Sequence, residues 1–284
     1  MKYFKQFSFK KFGILDLNGE MDAYKAIDQH KDLTKIVYLR AGASVSIDFT
    51  AFDLKQNAIF FLSAGQILQM NDNSQGTILF YNDDFYCVPL HDREVAKDEL
   101  LINTVYNISA VKLDTESSAG ISSVFEEIKK EIIQDDIRLE EMLRVLLKQI
   151  IIKSTRFWKH QQNIHQITIT HEVGFGRYFN RLVESNFLKH HDVAAYASML
   201  NITAKALNKR ITRHSRLSPN DIIKKRIILE AKRLLAHTTL SVKEIAYKLG
   251  YDDPAYFVRF FRKQAQVTPQ AFRLNFLAPS EAVA

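Results

Sequence analysis

Apolar and polar residues alternate along residues 45–49, where Val45, Ile47 and Phe49 are interleaved with Ser46 and Asp48. That period of two predicts a strand with one buried and one wet face. Similar short runs, rich in β-branched and aromatic residues, lie at 35–39, 58–62 and 77–81. Turn signals at Ala41-Gly42, Lys55-Gln56-Asn57, Ala64-Gly65 and residues 71–76 separate them. The IFFL run at 59–62 has no polar face and predicts a strand buried on both sides. Regular spacing of short strands predicts a small barrel or sandwich of roughly 110 residues.

From about Ile121 the period becomes helical. Val124, Phe125, Ile128 and Ile132 form one stripe. A second stripe runs through Leu139, Met142, Leu143, Leu146, Leu147, Ile150 and Ile151. The density of apolar residues suggests that part of this face meets another subunit; the alternative is packing wholly within the chain. Residues 153–174 are less regular and read as a connection, with a short extended piece at 166–170 and solvated His160, His165 and His171. A core-facing helix follows at 177–189, carrying Tyr178, Phe179, Leu182, Val183 and Phe187.

Residues 192–273 then contain one small unit written twice. Ala197 is followed by Asn201, Leu207, Lys209, Ile211 and Ser218-Pro219, and Ala246 by Gly250, Phe257, Arg259, Phe261 and Thr268-Pro269. From Leu207 and Phe257 onward the offsets agree, and the turns differ by one position. A short helix, a turn with Gly or Asn and a second helix bearing cations is the pattern of a helix-turn-helix. Asn201 and Gly250 tolerate a left-handed backbone, and Thr203 and Asp253 stand where a side-chain oxygen caps the second helix, Asp253 followed by Pro254. A pair of ordinary helical hairpins is the plain alternative; two units in register with basic outer faces favour DNA. Between them, 219–236 predicts a helix spanning ~27 Å at 1.5 Å per residue, against ~34 Å between major-groove faces on one side of B-DNA. Its Lys224, Lys225, Arg226, Lys232 and Arg233 are expected near phosphates or solvent.

Charge divides the chain at the same place. Residues 170–284 carry 19 Lys+Arg against 9 Asp+Glu, a balance of +10, while residues 1–169 carry 20 against 23, or −3. A basic domain joined to a mildly acidic one fits a nucleic-acid reader fused to something that leaves nucleic acid alone. Cations spread over several short capped helices disfavour a membrane-surface role. The basic start has no apolar run long enough for a signal peptide. No stretch of the sequence reaches the length of a bilayer span. Cys87 is the single cysteine, which excludes an intrachain disulfide and predicts a buried thiol in a protein of the cytoplasm.

The strings VAAYASMLNIT, LNKRI, SVKEIAYKLGYDDPAYFVRFFRK and TPQAFR, within residues 193–273, resemble the DNA-binding domain of AraC/XylS-type transcription regulators. That resemblance implies a C-terminal all-α domain with two helix-turn-helix units joined by a long helix, entering successive major-groove segments. HKDLTKIVYLRAG, IFFLSAGQIL and GTILFYNDDFY, within 30–86, are similar to the cupin-like barrel of many such regulators. The implied organisation is a sensing barrel at 1–115, a dimerisation segment at 116–153, a linker at 154–174 and a DNA-binding domain at 175–276. It also implies a homodimer, a small-molecule effector in the barrel and contact with RNA polymerase. Carried over by position, base readout falls to Lys205, Asn208, Lys209, Ala255 and Arg259, and phosphate contact to Arg213, Arg262 and Lys263. The family often has Gly where Arg216 and Gln266 stand here, which puts the local turns in question. Metal-dependent cupin enzymes need an HxH cluster with a following Glu and a later His; only His30 and His91 occur in that region, so neither metal, cofactor nor catalysis is expected. The rival readings are an architectural DNA binder with little sequence preference and a cupin-type enzyme.

Overall fold

The structure, a computed structural model, describes residues 2–18, 27, 29–71, 74–86, 110–161, 171–213 and 217–277. The 166–170 stretch, Cys87, His91, His165 and Arg216 lie outside these. The chain divides into two compact units, Met1–Thr168 and Ile169–Ala284.

Among the described residues the first unit is built of nine strands: β1 (Lys2–Phe7), β2 (Lys10–Asn18), β3 (Thr34–Leu39), β4 (Ser44–Ile47), β5 (Thr50–Asp53), β6 (Ala58–Leu62), β7 (Leu68–Met70), β8 (Gln75–Tyr81) and β9 (Ala110–Lys112). All pair antiparallel, as one six-stranded sheet, β1-β2-β8-β3-β6-β9, and one three-stranded sheet, β5-β4-β7. Alternation along β3, β6 and β8 sends Val37, Leu39, Ala58, Phe60, Leu62, Ile78 and Phe80 into one core with Val45, Ile47 and Leu68 of the small sheet. Ile36, Tyr38, Ile59, Phe61, Leu79 and Tyr81 face the other way, into a second core. Both faces of β6 are therefore dry, which explains an IFFL run with no polar side.

One expectation is met in part and another changes. No strand pair joins the two sheets among the described residues, and closure into a barrel is not seen there. The strand expected to run to Phe49 stops at Ile47, because Asp48 turns the chain with φ 53°. The Asp48 carboxylate accepts hydrogen bonds from the Ile67 amide at 3.1 Å and from Gln66 Nε2 at 3.2 Å, so this turn is fixed by side-chain chemistry that alternation does not encode.

The second core is closed by helices α1 (Thr115–Glu131) and α2 (Leu139–Gln161). Ile121, Phe125, Ile128, Leu143, Leu147 and Ile150 are buried against the large sheet. Packing within the unit thus consumes nearly all of the apolar stripe that suggested another subunit. Met142 and Val145 remain on the outside, Val145 at 56% exposure. Helix α2 continues past residue 153 to Gln161, whose side-chain amide bonds the backbone N–H and C=O of Lys112 on edge strand β9. Residues 154–161 of the expected connection are therefore helical.

The second unit is all-α: α3 (His171–Asn186), α4 (Val193–Met199), α5 (Ala204–Thr212), α6 (Pro219–His237), α7 (Val242–Lys248), α8 (Pro254–Ala265) and α9 (Pro269–Leu277). Helix α3 starts earlier than the predicted 177. Helix α6 packs against α4 and α5 on one side of the chain repeat and α7, α8 and α9 on the other. Its start is a capping box between Ser218 and Asp221, with Pro219 in the first turn.

The candidate nucleic-acid interface

Each recognition helix is oriented by an apolar inner face. On α5, Leu207 and Ile211 are buried, and on α8 Phe257 and Phe261 are fully so. Because side chains three and four residues apart share a helix face, burying these residues turns the remaining ones outward. Lys205, Asn208, Lys209 and Thr212 line the exposed face of α5, with Arg213 just beyond its end. Ala255, Tyr256, Arg259, Arg262 and Lys263 are exposed on α8. All eight sequence-predicted contact residues are thus at the surface, divided between two helices.

The caps are those expected. Thr203 Oγ1 accepts from the Ala206 amide at 3.1 Å, and Asp253 accepts from the Ala255 and Tyr256 amides at 2.8 and 3.2 Å. Asp253 also faces Arg259, 3.6 Å from its guanidinium, but the arginine is 68% exposed and the pair is too well solvated to hold it back. Asn208 donates to the Ala204 carbonyl at 3.2 Å, which leaves its side-chain oxygen unengaged by that bond.

Backbone geometry in the turns follows residue type. Asn201 has φ 53° and Gly250 φ 81°, both left-handed. A Cβ on residue 250 would lie 2.0 Å from the Leu188 carbonyl oxygen, so this turn needs glycine for space as well as for conformation. Against the same turn packs His191, whose Nε2 lies 2.8 Å from the Leu249 carbonyl oxygen while its ring contacts Tyr251. Burial holds the imidazole pKa below its usual value, opposed by its backbone carbonyl partners. Gln266, where the family often has Gly, takes the left-handed conformation itself, φ 61°, with its amide bonded to the Arg262 carbonyl at 2.9 Å. The turn survives the substitution at a conformational cost.

Not every basic residue of the unit is available to a ligand. Arg226 and Arg233 were expected near phosphates or solvent, yet each is only 4% exposed. Arg226 bonds Glu184 through Nε and Nη2 at 2.7 and 2.8 Å and Glu230 at 2.9 Å, and lies over the Phe187 ring at 3.8 Å. Arg233 reaches Glu230 at 3.3 Å. Arg226 joins α6 to α3 from within through Glu184, a partner the linear pattern could not pair with it, while Glu230 lies on α6 itself, within one turn of both arginines. Lys224, Lys225 and Lys232 are less buried than these arginines. Arg273 is similarly engaged, donating to the Leu235 and Leu240 carbonyls around the end of α6.

Two surface residues escaped the sequence reading. Tyr256, 58% exposed, stands beside Arg259, with the guanidinium 5.9 Å from its ring centroid. In the string AYF it reads as core, and only its position three residues before Arg259 places it on the outer face. Thr212 lies one turn beyond Asn208 and donates to its carbonyl at 2.7 Å.

Outside this unit, His30 stacks on Phe4 and meets the edge of Phe80, a structural setting. No group of three or more metal-ligating side chains occurs among the described residues. No helix among them is long and apolar enough to cross a membrane.

Comparison with known proteins gives the same segment a name. A helix-turn-helix domain model matches residues 196–275. The lactose operon transcription activator of Staphylococcus xylosus is 27% identical over 142 residues, covering 50% of this chain and 48% of that protein. The transcriptional activator RhaS of Enterobacter sp. (strain 638) is 26% identical over 91 residues, covering 32% and 33%. The chain thus matches half or less of the length of these relatives. Among solved structures, ToxT of Vibrio cholerae O395 is 17% identical over 98% of both chains with a TM-score of 0.44. With its duplicated capped units and the joining helix, the segment 196–275 is an AraC-type helix-turn-helix domain.

Proposed function

We propose that this chain is a sequence-specific, DNA-binding transcription regulator that acts as a homodimer in the cytoplasm. The observation that carries the reading is the pair of recognition helices, each anchored by buried residues and each presenting cations outward, on either side of one helix. At 19 residues α6 is ~28 Å long, a length that with its flanking turns suits two reading heads about one DNA turn apart. Lys205, Asn208, Lys209, Ala255 and Arg259 read base edges, and Arg213, Arg262 and Lys263 hold phosphates. The relatives named above are transcription activators, which supports activation and a contact with RNA polymerase.

The first unit is the sensing and dimerising part. We assign 1–115 to a cupin-like sensing barrel, 116–153 to dimerisation helices, 154–174 to the connection and 175–276 to DNA binding. Exposed Met142 and Val145 on α2 are the dimer contact in this reading. An effector bound to this unit shifts the population of subunit arrangements that engage the operator.

Selection of bound fragments from random DNA by the purified chain tests the reading, followed by a salt series on the selected and a scrambled duplex. A regulator binds the selected site at least 10³-fold more tightly. Equal affinity with an equal salt slope would instead make the chain an architectural DNA binder.

A further inference from the structure

The helix-facing side of the large sheet is apolar for only part of its width. Along β2 it runs Phe12, Ile14 and then Asp16 and Asn18; along β8 it runs Tyr81, Leu79 and then Thr77 and Gln75. On β3 it runs Ile36, Tyr38 and then Arg40, just past the strand end. Register aligns the change. Thr77 pairs with both Asp16 and Tyr38, Asn18 pairs with Gln75, and the Arg40 amide bonds the Gln75 carbonyl at 2.9 Å. The polar ends therefore fall at one level on three neighbouring strands.

Helix α1 is polar at the same level, presenting Ser122, Glu126 and Lys129, and a cleft of about 360 Å³ lies between helix and sheet. Pockets that hold small molecules run from about 300 to 1,000 Å³, so this is room for a small metabolite. Gly76 forms part of the wall because β8 approaches β3 too closely for a side chain: a Cβ there would lie 2.0 Å from the Tyr38 carbonyl oxygen.

The charges in the cleft are separated. Lys129 Nζ is 2.6 Å from Asp16 Oδ1 and 2.6 Å from Glu126 Oε1, and Thr77 donates to Asp16 at 2.9 Å. Burial opposes the lysine's charge, but the bonds it donates to the two carboxylates hold its pKa above the usual value. One ammonium between two carboxylates leaves a negative charge over. Arg40 supplies the balancing positive charge and forms no ion pair among the described residues.

We propose that this cleft binds a small zwitterion of the amino-acid class, its ammonium toward Asp16 and Glu126 and its carboxylate toward Arg40. A single anion would match Arg40 but leave the surplus carboxylate charge unmatched, and a single cation the reverse. Binding would tie α1 to the sheet. The consequence for DNA rests on the regulator reading above; the binding itself does not.

Calorimetric titration of the full chain, without DNA, with the twenty common amino acids tests this. Propylamine, propionate and glucose are the controls. At least one amino acid binds with 1:1 stoichiometry, and the controls do not. Arg40→Gln and Glu126→Gln, both replacing exposed side chains, each weaken binding about 10- to 100-fold, the loss of one charged hydrogen bond, while circular dichroism shows both variants folded. No binding by any amino acid, equal binding by a control, or unchanged affinity in both folded variants overturns the proposal. Failure to select a DNA site would leave these results untouched and count against the regulator reading alone.

Discussion

In the proposed reading Arg259 carries most of the weight in the second recognition helix, since Ala255 beside it offers a thymine methyl contact at most. Arg259→Ala should weaken operator binding by about 1–3 kcal/mol and relax the preference at one base pair. Binding-site selection with the variant checks this, and an unaltered selected sequence would remove Arg259 from the readers. Gln266 supports a prediction of opposite sign. A non-glycine residue at φ 61° is strained, and its side-chain bond to the Lys263 carbonyl at 2.9 Å is exposed and of little worth. Gln266→Gly should therefore stabilise the protein by about 0.5–1 kcal/mol, read as a higher urea midpoint with an unchanged slope. Residue type alone made the turn positions legible at Asn201 and Gly250. It made Gln266 look like a departure from the pattern, because only the folded backbone keeps the turn, at the cost of a left-handed conformation for a non-glycine residue.

At the scale of elements, the long helix α6 is held by charge from one side. The Arg226 guanidinium is bonded to Glu184 and Glu230 and stacked on Phe187, and these bonds keep its pKa above the usual value although burial opposes them. Removing one member of a buried pair costs about 3–5 kcal/mol. Here the two carboxylates are 34% and 23% exposed and can regain some water, which lowers the expected cost of Arg226→Ala to about 2–3 kcal/mol. Arg226→Lys should recover only part of it, since the forked contact to Glu184 is lost. Chemical denaturation of the three proteins distinguishes this from a surface arginine, whose removal would change stability by less than about 0.5 kcal/mol. A helix with cations on several faces cannot declare which of them are buried. That depends on Glu184, 42 residues earlier in the chain, arriving beside it.

For the whole molecule, the outstanding question is assembly. The apolar stripe of α1 and α2 is nearly all spent on the large sheet, and what remains outside is small. On the proposed homodimer, Val145→Asp should shift the chain from dimer to monomer in sedimentation velocity while leaving its melting temperature within a few degrees. A dimer that persists would move the subunit contact away from this face of α2.

Helical period, the doubled offsets of 192–273, capping residues and charge balance are local properties, so the sequence by itself determined the second unit: its two helix-turn-helix motifs, its joining helix and the outward-facing cations. The order of strands in the first unit depended on tertiary structure, because strand pairing joins residues far apart and alternation marks only which side of a strand is apolar. Lys2–Phe7 and Lys10–Asn18 read as a basic start, yet β2 lies beside β8 in the large sheet. Tertiary structure also decided that the apolar face of α1 and α2 closes its own core, that Arg226 is structural, and that polar residues from three strands and a helix meet in one cleft. In each case the deciding contact is made across a distance in sequence that no local pattern spans.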